Sequence, residues 1–338
     1  MNSSASKYLK MNLLQLCLLA SLLVLPALTY GSNFERVGNF ALLDHKGVYH
    51  ELRKYGDSKA VVFIATSPSC KKNLDQLPKY TLLKTTWERH GIRFVALDAS
   101  PADQRAQVSQ LDDLHHLNLP ILLDDSQLVS KSLVISSAGQ IVIVEPNRYR
   151  ILYRGGLQAF SKEPKVDVAG NRRNPELGLD GVLSAIADSS LDLLSGTVEE
   201  QADGCSLTFP GLQKLAKSPP DYSQDVVPIL QENCVTCHVE GGVAPFAMDS
   251  HTMVQGWSPM MREVLMTKRM PPAQVDPAIN HFENAGYLTA ADLQTLVNWI
   301  DAGSPAGEGD LDPLSKVSPI DTTWQLGEPD YVVEVPGF

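Results

Sequence analysis

Ala60-Val61-Val62-Phe63-Ile64-Ala65, followed by Thr66-Ser67-Pro68-Ser69-Cys70, is the stretch that decides the fold. Its first six residues are an uninterrupted β-rich apolar run, which suits a strand buried on both faces. A helical segment is expected downstream from about Lys71 to His90, then a strand at Ile92–Leu97, a helix near Ala102–Leu117 and a strand at Pro120–Leu123. Strands separated by helices of about 10–20 residues imply βαβ crossovers and a central sheet with helices on its faces. Upstream, Phe40–Leu43 and Val48–Tyr49 flank Asp44-His45-Lys46-Gly47, a hairpin turn. Ile141–Val144 and Arg150–Tyr153 form a second hairpin around Pro146-Asn147. Ser161–Asn174 reads as a polar surface loop, and Leu177 to about Leu194 as a helix docking back on the sheet.

The chain has 338 residues, enough for two or three compact units. Hydrophobic residues make up 43% and charged residues 20%, which is ordinary globular usage and excludes wholesale disorder. A net charge of −11 without a basic stripe argues against nucleic-acid binding, which needs clustered Lys and Arg. Twelve Asp and Glu against three Lys and Arg fall within residues 221–310. That surface reads either as solubilising charge or as a face that steers toward a basic redox partner. Five cysteines are too few for a disulfide-stapled scaffold and are read one by one.

Lys7 and Lys10 precede an apolar run from Met11 to Leu28, and Thr29-Tyr30-Gly31-Ser32 supplies small residues. The pattern is that of a secretory signal with cleavage after Gly31 or Ser32, and retention as a single anchor is the alternative. Cys17 would leave with it. No later stretch is long and apolar enough to span a bilayer, so no membrane span is expected after cleavage. Export implies an oxidising compartment where paired cysteines persist.

Between Ser195 and Pro220 periodicity fades, and Ser218-Pro219-Pro220 signals a linker. Helical patterns resume from Tyr222 to about Gly303. Within them stands Cys234-Val235-Thr236-Cys237-His238. Two thiols three residues apart can add to the two vinyl groups of haem, and the next His becomes an axial iron ligand. A zinc half-site would want a second Cys/His pair nearby, and a thioredoxin-type redox pair normally follows a strand. Here Ser223–Gln231 reads as a helix, which favours one covalent haem c.

Six of the eight methionines fall between Met248 and Met270. Met270 precedes Pro271-Pro272, a rigid loop suited to presenting a thioether, and is the expected sixth iron ligand, with His281 the alternative. Met248, Met253, Met260, Met261 and Met266 are assigned to packing. Thr289 with Asp292 resembles a capping box, and Leu293, Leu296, Val297 and Ile300 face inward on the helix that follows, with Trp299 expected near the haem helix.

The segment from Gln231 to His238, Ala244-Pro245-Phe246, Arg269-Met270-Pro271-Pro272 and Trp299-Ile300-Asp301-Ala302-Gly303 resemble a bacterial subgroup of c-type cytochrome domains. In that subgroup an exported redoxin-like domain precedes the cytochrome, and many members continue into a copper type II, ascorbate-dependent monooxygenase-like domain. Gly327-Glu328-Pro329-Asp330-Tyr331-Val332-Val333 resembles the junction to it. No His or Met follows, so the copper activity is not carried over.

Residues 36–190 resemble the thioredoxin fold of redoxins and peroxiredoxins, with Cys70 at the place of the reactive cysteine. The motif departs from both active patterns: Phe63 stands where a peroxidatic motif has proline, Ser67 could stand in for its hydroxyl residue, and Asn73 occupies the second position of Cys-x-x-Cys. Ala138-Gly139 replaces the usual cis-proline. A cysteine at the place of Cys205 also occurs in the resembled subgroup. It is read as a structural disulfide partner of Cys70, as a resolving thiol of a reversible pair, or as unpaired.

The resemblance implies an α/β thioredoxin-like domain followed by a small all-α cytochrome c domain. Its divisions are a signal at 1–32, a redoxin domain at 33–195, a linker at 196–220, a haem domain at 221–305 and a tail at 306–338. The function it implies is a periplasmic, or otherwise exported, redox protein carrying single electrons. Alternatives are a thiol peroxidase using Cys70 with electrons exchanged through the haem, and a non-catalytic module docking a redox partner.

Overall fold

The computed structural model describes residues 34–100, 103–157, 178–272, 276, 278–279, 282, 287–308, 312–319 and 327–333. The expected signal segment, Cys17 within it, and His281 lie outside the described residues.

A hairpin comes first, with β1 (Ala41–Leu43) antiparallel to β2 (Tyr49–Glu51). Asp44 makes its turn. The carboxylate Oδ1 accepts from the backbone N–H groups of Lys46 and Val48 at 2.9 and 2.8 Å, and Gly47 supplies the φ of 81° that closes it.

The expected strand is β3 (Ala60–Thr66), buried along its whole length. It pairs in parallel with β4 (Ile92–Asp98), which pairs in parallel with β5 (Ile121–Leu123). On its other edge β6 (Ile141–Glu145) runs antiparallel, followed by an antiparallel β7 (Arg150–Gly155) and a two-residue β8 (Val198–Glu199). The sheet order is β5-β4-β3-β6-β7-β8. Parallel neighbours need crossovers. These are α1 (Lys71–Leu74) with α2 (Leu77–Trp87), and then α3 (Arg105–His115). After β5 comes α4 (Leu128–Ser132), and after β7 comes α5 (Leu179–Ala187). Parallel βαβαβ followed by an antiparallel hairpin and a helix is the thioredoxin-like arrangement.

Alternation of side chains explains why β3 is apolar throughout. Ala60, Val62 and Ile64 enter the core beneath α2, α3 and α5, while Val61, Phe63 and Ala65 enter a second core with Phe40, Leu42 and Leu128. Each fully buried large side chain contributes about 1.5–3 kcal/mol, so no position on β3 can be polar without a partner.

The second core does not stop at the sheet. It runs on into the C-terminal helices: α6 (Pro210–Lys217), α7 (Val227–Asn233), α8 (His251–Met266) and α9 (Ala290–Asp301). The stretch read as a linker therefore carries β8 and α6. One π-helical turn, Tyr222–Val226, leads into α7. The capping box of α9 is present, with Thr289 Oγ1 accepting from the Asp292 N–H at 3.1 Å and Asp292 Oδ2 accepting from the Thr289 N–H at 3.3 Å. Pro259 lies inside α8, where its ring nitrogen cannot donate. The Ser258 hydroxyl donates to the Gln255 carbonyl instead, at 2.8 Å. Polar bonds also join the sheet to these helices. Gln127 Nε2 donates to the Thr208 carbonyl at 2.8 Å and Gln294 Nε2 to that of Ser126 at 2.7 Å, while Arg105 pairs with Asp276. No helix among the described residues is long and apolar enough to cross a membrane.

Candidate functional site

Cys70 is the N-cap residue of α1, where β3 hands over to the helix, and is 2% exposed. The loop before it is pinned by Asn73, which is wholly buried. Asn73 Oδ1 accepts from Thr66 Oγ1 at 2.9 Å and from the Ser67 N–H at 3.1 Å, and its Nδ2 donates to the Ala65 carbonyl at 3.4 Å. The position of the second thiol in Cys-x-x-Cys is thus a hydrogen-bonding hub that satisfies an otherwise unpaired turn. Ser67, the hydroxyl residue of the peroxidatic comparison, donates to Asp103 Oδ2 at 2.5 Å.

The second thiol comes from far along the chain. Cys205 is bonded to Cys70 across 135 residues, with Cα atoms 5.8 Å apart. Pairing of β8 with β7 delivers the chain to the end of the sheet, where residues 205–207 lie antiparallel to 136–138. The Ala138 N–H donates to the Cys205 carbonyl at 2.9 Å, and the Leu207 N–H to the Ser136 carbonyl at 2.8 Å. Gly204 is required there, because a Cβ would fall 1.6 Å from the Ala138 carbonyl oxygen.

The second cluster follows α7. The Cys237 and His238 N–H groups donate to the Cys234 carbonyl at 3.1 and 2.9 Å, so one further helical turn sets the two thiols a turn apart. Cys234 and Cys237 are not bonded to each other. Burial, and then the neighbouring Cys237, push the Cys234 thiol up to about 11. A redox dithiol needs a lowered thiol instead. Among the described residues no group of three or more His, Cys, Asp or Glu could hold a metal ion. His238 is buried, and its ring is fixed. Nδ1 lies 3.1 Å from the Phe246 carbonyl, a bond in which only Nδ1–H can be the donor. That tautomer leaves Nε2 as a free lone pair for a metal, the usual way a ligating imidazole is oriented. Phe246 is held in turn by stacking on Trp257, with ring centroids 4.4 Å apart.

Of the methionines assigned to packing, Met248, Met261 and Met266 are buried in the core, whereas Met253 and Met260 are exposed; Met270 is 41% exposed. It lines a cavity of about 500 Å³ between the ends of β4 and β5 and the helices α8 and α9. Leu265, Leu288 and Leu293 form the apolar wall, and Asp98, Asp124 and Lys268 are among the polar groups. Cys234, Cys237 and His238 do not line it. His251 stays outside both clusters, with Nε2 2.8 Å from the Ser304 carbonyl.

Asp98 ends β4 and is 5% exposed. Burial raises its carboxyl to about 7, and the like charges of Asp103, Asp125 and Asp124 act in the same direction, against a bond from the Ser100 N–H. A folded-state value above the unfolded 3.8 means that the folded chain keeps a proton which the unfolded chain has released. This group therefore destabilises the fold as pH rises from about 4 to 7. Asp98→Asn should remove that slope and stabilise the protein at pH 8 by roughly 2–4 kcal/mol in urea titrations. An unchanged slope would refute the assignment.

No protein-family model matches the chain, and no curated protein is detectably similar to it. Solved structures share part of its fold. A hypothetical protein of Sinorhizobium meliloti 1021 is 18% identical at a TM-score of 0.40, covering 52% of this chain and 93% of that one. The thioredoxin domain of a thiol-disulfide oxidoreductase from Bacteroides vulgatus is 15% identical at 0.32, over 35% and 84%. Peroxidoxin BcpB from Mycobacterium tuberculosis is 13% identical at 0.32, over 48% and 96%. The thioredoxin-like assignment stands on strand order and pairing rather than on these values.

Proposed function

We propose that this chain is an exported redox protein that carries single electrons on one covalently attached haem c, beside a redoxin-like unit whose Cys70 is closed by a disulfide. The observation that carries the reading is the turn after α7: two unbonded thiols one turn apart, followed by an imidazole whose Nδ1 is tied to the Phe246 carbonyl. Cys234 and Cys237 would hold the macrocycle and His238 Nε2 the iron, with the exposed thioether of Met270 as the sixth ligand. Bound there, the haem supplies a one-electron ferric/ferrous couple. The chain's own residues do the rest. Phe246 keeps the His238 ring from rotating, and the partly buried Cys234 packs against the core.

Optical spectra of the matured protein, oxidised and reduced, test this. Wild type should show a low-spin c-type spectrum with the weak methionine-to-iron charge-transfer band in the red. Met270→Ala should abolish that band and lower the reduction potential, since a thioether favours ferrous iron. His281→Ala should leave the band intact; absence of the band from wild type, or a haem turned high-spin by the His281 change alone, would give the sixth position to His281. The acidic surface of residues 221–310 would steer toward a basic partner. An exported address rests on the signal-like residues 1–32, and the Cys70–Cys205 bond supports an oxidising compartment.

A second reading, thiol–disulfide chemistry at Cys70, is favoured by one observation: the Cys70–Cys205 bond closes at the carboxyl end of β3. It is the product that a peroxidatic Cys70, once oxidised to the sulfenic acid and condensed with the Cys205 thiol, would leave with release of water. Consumption of one peroxide per pair of reduced thiols tests it.

A further inference from the structure

We infer that Asp203–Leu207 is a redox-locked strap that keeps Cys70 closed, and that reduction of the Cys70–Cys205 bond releases it from the backbone edge at Ser136–Ala138. The inference rests on the thiol–disulfide reading of Cys70 and is independent of the haem.

Apart from the disulfide, what holds the strap is weak. Two backbone hydrogen bonds, from Ala138 to Cys205 and from Leu207 to Ser136, tie it to the sheet end. Gln76 Nε2 donates to the Asp203 carbonyl at 3.2 Å, and Lys72 Nζ meets Asp203 Oδ1 at 2.9 Å as a solvent-exposed pair. Exposed pairs contribute little, and single hydrogen bonds that water can replace contribute modestly. Apolar anchorage is limited to Leu207, which is only partly buried. Between the β8 pairing and the Gln127–Thr208 bond that flank it, the covalent bond is the strongest tie on the strap.

The two sulfurs differ in access. Cys70 is 2% exposed, whereas Cys205 is partly exposed. A thiolate of a dithiol reductant therefore attacks the Cys205 sulfur. The S–S bond breaks, Cys70 leaves as thiolate and takes a proton, and a mixed disulfide forms on Cys205. The second thiol of the reductant then displaces Cys205, which is protonated in its turn. Two electrons enter the protein, and the dithiol becomes a disulfide.

Backbone hydrogen exchange of the full chain as isolated, with and without dithiothreitol, tests the strap. The Ala138 and Leu207 amides should exchange at least about tenfold faster after reduction, while β3 and β4 stay protected. Cys70 should then react with a maleimide. Cys205→Ser should show the fast exchange without reductant, its protected β3 and β4 serving as the control for folding. With glutathione, a monothiol, the adduct should be found on Cys205. Ala138 and Leu207 amides that stay protected in the fully reduced chain would overturn the strap and leave a permanent structural disulfide. A glutathione adduct on Cys70 would overturn the assigned attack. Alkylation of both cysteines in the oxidised chain without reductant would instead overturn the thiol–disulfide reading beneath it.

Discussion

A Cys234→Ala, Cys237→Ala double variant should emerge from a haem-maturing host with no haem that survives acid–acetone extraction, whereas wild type should keep one per chain. The expectation is all-or-none because thioether bonds are covalent, and the two thiols one turn apart after α7 would be the only attachment points. Restoring Cys237 alone should restore attachment through a single thioether, since that sulfur is the exposed one. His238→Ala should retain the covalent haem but lose an axial ligand, giving a high-spin spectrum. Complete removal of haem from wild type by the extraction would sink the proposed function and leave the thioredoxin-like unit as it stands.

Trp299→Ala should cost about 3–5 kcal/mol of stability, read as a fall in the urea midpoint at unchanged slope. Trp299 is wholly buried, stacks on Tyr222 with ring centroids 5.8 Å apart, and meets His251 edge-on at 6.1 Å. Its indole N–H donates to the Pro305 carbonyl at 3.0 Å. Truncation would open a cavity at the joint between α9 and the turn leading into α7, and would orphan a carbonyl. Trp299→Phe should recover part of the loss, because it restores a stacked ring but forfeits the hydrogen bond and the volume of the second indole ring. A cost below about 1 kcal/mol for the alanine variant would mean that α9 repacks freely.

The sheet was legible because its signals are local. The Ala60–Ala65 run, the Asp44–Gly47 turn and the hairpin around Pro146-Asn147 each announce an element from a few adjacent residues. The Cys234–His238 motif and the Thr289–Asp292 box are equally compact. Other features lacked a local signal. Strand β8 is two residues long, too short for any period, and exists because Arg154, buried beneath it, pairs with Glu35 and Glu199. Helix α8 carries Gly256 and Pro259 in its interior, which sequence rules treat as breakers, and it persists through the Ser258 hydroxyl bond. The perturbed carboxyl of Asp98 ends an ordinary apolar run, Val95-Ala96-Leu97, and nothing in the spacing marks it as buried on both sides. The Cys205 pairing was open on sequence alone, because partner choice depends on how β7 and β8 turn the chain.

The disulfide also bears on the order in which the protein can be made. No cysteine lies between Cys70 and Cys205, so a chain emerging from its amino terminus offers Cys70 no other downstream partner until the correct one appears. By then every strand through β8 has been synthesised, and the sheet can fold before the loop is closed. The two remaining downstream thiols, Cys234 and Cys237, emerge last. Prompt oxidation as the chain is exported amino terminus first would therefore favour the native pair without an isomerase, whereas refolding the full-length reduced chain presents all of these thiols at once and invites mispairing.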